Sequence, residues 1–126
     1  MPFTNVINFD ESFYSLEQNN NQHWIWANGN GTVSIKSPIN TKVKLIISLR
    51  AASKRKIIFE LNGETFEEGF LDENIKNISF VAYLKKGDNQ LKIISDTNAI
   101  KLSASDERLF SYALFDIIIE DIDSKD

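Results

Sequence analysis

The chain has 126 residues, a net charge of −4 and no cysteine. That length suits one domain able to bury a core without staples. The missing cysteines exclude disulfides and thiol chemistry, the single histidine leaves no usual zinc site, and the negative charge argues against nucleic acid as a partner. With 42% hydrophobic and 25% charged residues the composition is that of a folded globular domain.

The opening "MPFTNVINFD" carries no positive charge ahead of an apolar run, so it does not read as a signal peptide. No apolar run approaches the roughly 20 residues of a membrane helix. The expectation is a single soluble domain over residues 1–126, with flexible ends at 1–5 and 122–126. Together with the lack of cysteine this favours the cytoplasm over secretion.

Residues 9–31, "FDESFYSLEQNNNQHWIWANGNG", hold both tryptophans and the single histidine and close on a Gly29-Asn30-Gly31 turn. "HWIWA" predicts a strand with Trp24 and Trp26 on one face and Ile25 on the other. Two readings stay open: both indoles are core, or they form a platform on which sugar rings stack. A mixed arrangement has one inside and one at the mouth of a groove. His23 is expected to be an exposed strand residue.

Downstream the periodicity stays at two. Val43, Leu45, Ile47 and Leu49 share one face, as do Ile57, Phe59 and Leu61, then Ile78, Phe80, Ala82 and Leu84, then Leu91 and Ile93. Asn62-Gly63 is a hairpin signal because both positions must take positive φ, and Lys86-Gly87-Asp88-Asn89 marks another turn. Lys42, Lys44, Arg50, Lys54, Arg55 and Lys56 read as the solvent face and turn of a hairpin. Phe66 and Phe70 alternate poorly and are assigned to the core edge or an interface. Residues 96–105 form one long connection, and "RLFSYALFDIIIEDI" predicts a central strand covered on both faces. No segment carries a helical stripe. Some nine short strands with frequent turns point to an all-β fold, an antiparallel β-sandwich of jelly-roll type.

Catalytic motifs are wanting: there is no G-x-S-x-G elbow and no phosphate-cradling glycine loop. Carboxylates such as Asp10, Glu11, Glu17, Asp106 and Glu107 could form a glycosidase pair only if the fold faced two of them across a cleft. The chain is therefore read as no enzyme. No cofactor is expected; a structural calcium on loop carboxylates stays open, without an EF-hand loop to hold it.

Three elements in order carry a resemblance. They are Phe13, Tyr14 and Glu17 in "SFYSLE", then Trp24 and Trp26, then Asp106 and Arg108 in "DERLFS". The chain resembles small β-sandwich accessory modules found beside bacterial glycosyltransferases and in other cell-surface polysaccharide proteins. It departs from their pattern at Ser12 and Ser111, where glycine is expected, and at Phe110, where leucine is. The resemblance implies non-catalytic carbohydrate binding as an accessory domain of a glycan-synthesising or glycan-attaching system. An oligo- or polysaccharide is then the partner, alongside a catalytic domain or a second copy of the chain. Candidate site residues are Tyr14, Glu17, Trp24, Trp26, Asp106 and Arg108. Read physically, Arg108 can fork onto Glu17 or Asp106 either as a clamp pinning the long loop or as part of a polar cluster for sugar hydroxyls. The alternative function is a structural or protein-interaction module that assembles through an exposed strand or the "IIIEDI" edge.

Overall fold

The computed structural model describes residues 7–122. The expected flexible ends fall outside the described residues except for Ile122, whose backbone N–H donates to the Lys42 carbonyl at 3.1 Å. Among the described residues ten strands follow one another: β1 (Ile7–Phe9), β2 (Glu17–Gln18), β3 (His23–Ala27), β4 (Gly31–Ser37), β5 (Thr41–Ala51), β6 (Arg55–Leu61), β7 (Glu64–Leu71), β8 (Lys76–Leu84), β9 (Gly87–Ser95) and β10 (Tyr112–Asp121). They build two five-stranded sheets, ordered β1-β4-β9-β6-β7 and β2-β3-β10-β5-β8, with antiparallel pairing throughout. The fold is an antiparallel jelly-roll sandwich, as the alternating pattern implies.

Burial follows that alternation. β5 alternates buried and half-buried over its whole length, sending Val43, Leu45, Ile47 and Leu49 between the sheets, where they meet Ile57, Phe59 and Leu61 of β6. Each such side chain contributes about 1.5–3 kcal/mol on burial. Phe59 and Phe80 bind the two sheets with ring centroids 5.6 Å apart. Asn62 and Gly63 take φ of 52° and 88°, as their tight hairpin requires. Tyr112 is fully buried; its hydroxyl donates to the Ile93 carbonyl and accepts from the Gly31 N–H, both at 3.1 Å. Burial pushes this phenol far up, so it stays neutral. Gly31 is glycine for space: a Cβ there would lie 2.5 Å from the Phe13 ring.

Two expectations need correcting. First, β10 is central in its sheet, but only its first half is covered on both faces. Tyr112, Ala113 and Leu114 are buried, whereas Ile118 is 40% exposed on the outer face. Second, Arg55 is not part of a solvent face: it points inward and is 4% exposed. Its guanidinium donates to the Ser53 carbonyl (3.0 Å) and Oγ (2.9 Å), the Ser111 Oγ (2.7 Å), the Thr97 carbonyl (3.2 Å) and the Ser95 Oγ (3.3 Å), tying three connections together. Desolvation lowers its pKa, opposed by the nearby Asp96. Phe66 does lie at the core edge, and the irregular alternation around it is a β-bulge. The register of β7 on β6 shifts between Phe59 and Glu60, which turns the Phe66 ring onto Phe80, stacked at 6.1 Å.

Candidate functional site

β3 sends Trp24 and Trp26 out of the sandwich on the outer face of the second sheet, while Ala27 joins the core between the sheets. A smaller apolar cluster forms there, of Trp26, Ala52, Phe110 and Ala113. Its lid is the long connection before β10, closed by paired backbone hydrogen bonds between Ile100 and Phe110 at 2.8 and 2.7 Å. Phe110 meets Trp26 edge-on with centroids 4.8 Å apart, leaving the indole 4% exposed. On the next strands, Ala113 stands opposite both Trp26 and Arg50. Because Ala113 is small, the Arg50 guanidinium reaches over it to within 4.9 Å of the Trp26 ring.

Trp24 is the outer member of the pair. It is half-buried and tilts against Phe115, with centroids 6.0 Å apart. Phe115 reaches this place through a second bulge: the β10–β5 register shifts between Leu114 and Asp116, so Phe115 is the extra residue. The bulge sets Phe115 and Asp116 side by side on the outer face, where an unbroken strand would have turned one of them inward.

Around these rings lies a cleft of about 620 Å³. Trp24 and Phe115 supply aromatic surface, Arg50 a cation, Asn19 and Gln22 come from the β2–β3 turn, and Glu73, Asn74 and Ile75 from the β7–β8 connection. The β2–β3 turn is pre-set: the Asn19 side-chain oxygen accepts the N–H groups of Asn21 (3.0 Å) and Gln22 (2.9 Å). Among the described residues the Arg50 guanidinium makes no hydrogen bond or ion pair, so its donors face the cleft unspent. A second cleft of about 480 Å³ shares Gln22, Ile75 and Phe115 with the first and adds His23, Ser48, Asp116 and Ile118. There the Asp116 Oδ1 is buried without a hydrogen-bond partner among the described residues.

The six candidate residues separate into places. Trp24 lines the cleft; Trp26 is beneath the surface as core of the smaller cluster. Glu17 stands opposite Trp24 across β2 and β3. It accepts from Arg108 Nη1 at 3.0 Å, while Asp106 takes the other side of the same guanidinium, at 2.9 Å from Nη2 and 3.1 Å from Nε. Arg108 also lies over the rings of Phe110 (4.8 Å) and Tyr14 (5.5 Å), and the Tyr14 hydroxyl donates to the Leu109 carbonyl at 3.0 Å. Hydrogen bonds from Arg108 hold the Asp106 carboxyl below its usual range, and both carboxylates raise Arg108 further. This group is a clamp that pins the long connection to β2. It borders the cleft without lining it.

Arg50, Phe115 and the 73–75 segment were not legible as site residues. Arg50 sits at an ordinary outward position of an alternating strand, and Phe115 is re-aimed by a bulge that leaves no local mark. Among the described residues no group of three or more His, Asp or Glu side chains could hold a metal ion. Among the described residues no helix is long and apolar enough to cross a membrane.

No protein-family model matches this sequence, and no curated protein matches it. The fold, however, is shared with solved carbohydrate-binding proteins. A family 35 carbohydrate-binding module from Clostridium thermocellum superposes with a TM-score of 0.58 at 11% identity, over 91% of this chain and 92% of that one. A family 35 module from an environmental isolate gives 0.55 at 15% identity, over 93% of each chain. The mannanase of Podospora anserina that includes such a module gives 0.60 at 13% identity; the match covers 96% of this chain and 26% of the enzyme.

Proposed function

We propose that this chain is a non-catalytic carbohydrate-binding module whose glycan lies in the cleft of Trp24 and Phe115. One observation carries the reading: a half-exposed indole and a second aromatic ring flank a cleft containing an unpaired guanidinium and three side-chain amides. Sugar rings are apolar on their faces and hydroxyl-rich at their rims, so they need that mixture of aromatic surface and fixed polar groups. Trp24 and Phe115 stack on the ring face; Arg50 donates to hydroxyls, and Asn19, Gln22 and Asn74 donate and accept. Tyr14, Glu17, Asp106 and Arg108 keep the neighbouring connection in place, and Trp26 supports the floor.

The shared fold of carbohydrate-binding modules supports this reading, as does the sequence resemblance to accessory modules of polysaccharide proteins. In its full form the proposal makes the chain an accessory domain of a bacterial glycan-synthesising or glycan-attaching system. Binding at one open cleft is weak, and repeated copies would provide tight attachment.

The test uses Trp26→Phe, which leaves Trp24 as the emitting indole. Acrylamide quenching is measured against a panel of bacterial polysaccharides. A polysaccharide that shields Trp24, with Trp24→Ala weakening binding at least about tenfold, supports the site. Unchanged quenching across the panel refutes it. A second reading has one observation in its favour: Val81 (45% exposed), Tyr83 (65%) and Ile118 (40%) share the outer face of the second sheet. If that face docks a protein, Tyr83→Ser will disrupt an assembly and leave glycan binding intact.

A further inference from the structure

Phe70 is 73% exposed, more than any other large apolar side chain among the described residues. It lies on β7, the edge strand of the first sheet, directly opposite Lys56 on the outer face. A solitary exposed ring is ordinary, but this one is a wall of a cleft of about 460 Å³ that is lined otherwise by Leu71 and by charged and polar residues. Asp96 is fixed there: its Oδ1 accepts from the Lys56 N–H (2.9 Å) and the Thr97 hydroxyl (2.8 Å), and its Oδ2 accepts nothing among the described residues. Asp72 is fixed alike, with Oδ1 accepting the Asn74 N–H at 2.8 Å and Oδ2 unengaged. Lys54 adds an ammonium with no ion pair among the described residues.

A ring face with two pre-oriented carboxylate oxygens and an ammonium suits a neutral, hydroxyl-rich ligand. Each free oxygen can accept sugar hydroxyls, the ammonium can donate to others, and the ring takes the apolar face of the sugar. An apolar partner would have to bury both carboxylates and the ammonium without compensation.

The placement of this cleft matters as much as its chemistry. It opens on the outer face of the first sheet, while the Trp24 cleft opens on the outer face of the second. The β7–β8 connection divides them: Asp72 lines one, and Glu73, Asn74 and Ile75 line the other. The β5 end and the following turn divide them too, with Arg50 on one side and Lys54 to Lys56 on the other. We propose that Phe70 is the platform of a second site for neutral glycans, so that one module holds two chains on opposite faces and cross-links them. This rests on the reading of the chain as a carbohydrate-binding module.

The experiment titrates the full chain calorimetrically with neutral hexasaccharides of the cello-, manno-, laminari- and xylo- series. Wild type, Phe70→Ala and Trp24→Ala are compared, and the matching polysaccharides are followed by light scattering. The expected result is two sites in wild type and one in each variant, with Phe70→Ala losing cross-linking while keeping the Trp24 site. Because the ring is so exposed, this variant should fold as wild type does, which circular dichroism checks. A single site abolished by Trp24→Ala and indifferent to Phe70→Ala overturns the second site and leaves the proposed function standing. Binding lost in Phe70→Ala but kept in Trp24→Ala supports the Phe70 site and overturns the Trp24 placement. If no hexasaccharide binds, both fall.

Discussion

Replacing Trp26 by alanine should destabilise the protein far more than the same change two residues earlier. Trp26 is 4% exposed, packed edge-on against Phe110 and covered by the Arg50 guanidinium. Its removal loses the transfer energy of a buried indole and leaves a cavity under the long connection, about 3–5 kcal/mol for such truncations. The lost cation–π contact adds about 0.5–1 kcal/mol. Trp24 is half-buried with Phe115 as its aromatic neighbour, so truncation there should cost about 1–2 kcal/mol at 25 cal/mol per Å². For a chain of this size 1 kcal/mol shifts the midpoint by about 3–5 °C. Trp26→Ala should therefore melt about 10–30 °C below wild type, and Trp24→Ala about 3–10 °C below it. Thermal and urea unfolding by circular dichroism measure both. Equal losses in the two variants, or a Trp26→Ala loss under about 1 kcal/mol, would show that the inner and outer indoles have been misassigned.

Arg55→Leu should cost about 2–4 kcal/mol in urea unfolding, since it strips donors from the serine hydroxyls and carbonyls of three connections. Arg55→Lys should recover little of this, because an ammonium cannot reproduce the fork; full recovery would argue against the geometry. The clamp should respond to acid. Asp106 has a depressed carboxyl pKa in the folded state, chiefly through hydrogen bonds from Arg108. Its stabilising contribution is present above the unfolded value of about 3.9 and is lost as pH falls through the lower folded value. The melting-point gap between wild type and Arg108→Gln should thus be steady at neutral pH and shrink in acid once pH falls below the unfolded value of about 3.9; a gap independent of pH would refute the clamp.

Most of the sheet pattern was legible because it is written locally. Val43 to Leu49, Ile57 to Leu61 and Ile78 to Leu84 alternate cleanly, and a strand that must bury one face can satisfy that pattern in one way. Asn62-Gly63 announced its hairpin through the φ values only such residues accept easily. That Trp24 and Trp26 share one face followed from the same two-residue period.

What escaped was everything set by partners distant in sequence. Phe66 and Phe115 owe their directions to bulges, and a bulge exists only relative to the strand it faces. Arg55 looked like one more surface cation because the connections that bury it, near Ser53, Thr97 and Ser111, converge only in three dimensions. Which indole is core was decided by Phe110, brought over Trp26 by the closure at Ile100, and not by anything in "HWIWA". The cleft gathers residues 19, 22, 24, 50, 73–75 and 115. Alternation along one strand determines which face a side chain takes, because that depends on the backbone alone. Which side chains then meet depends on register and on the packing of connections, and those are properties of the folded chain as a whole.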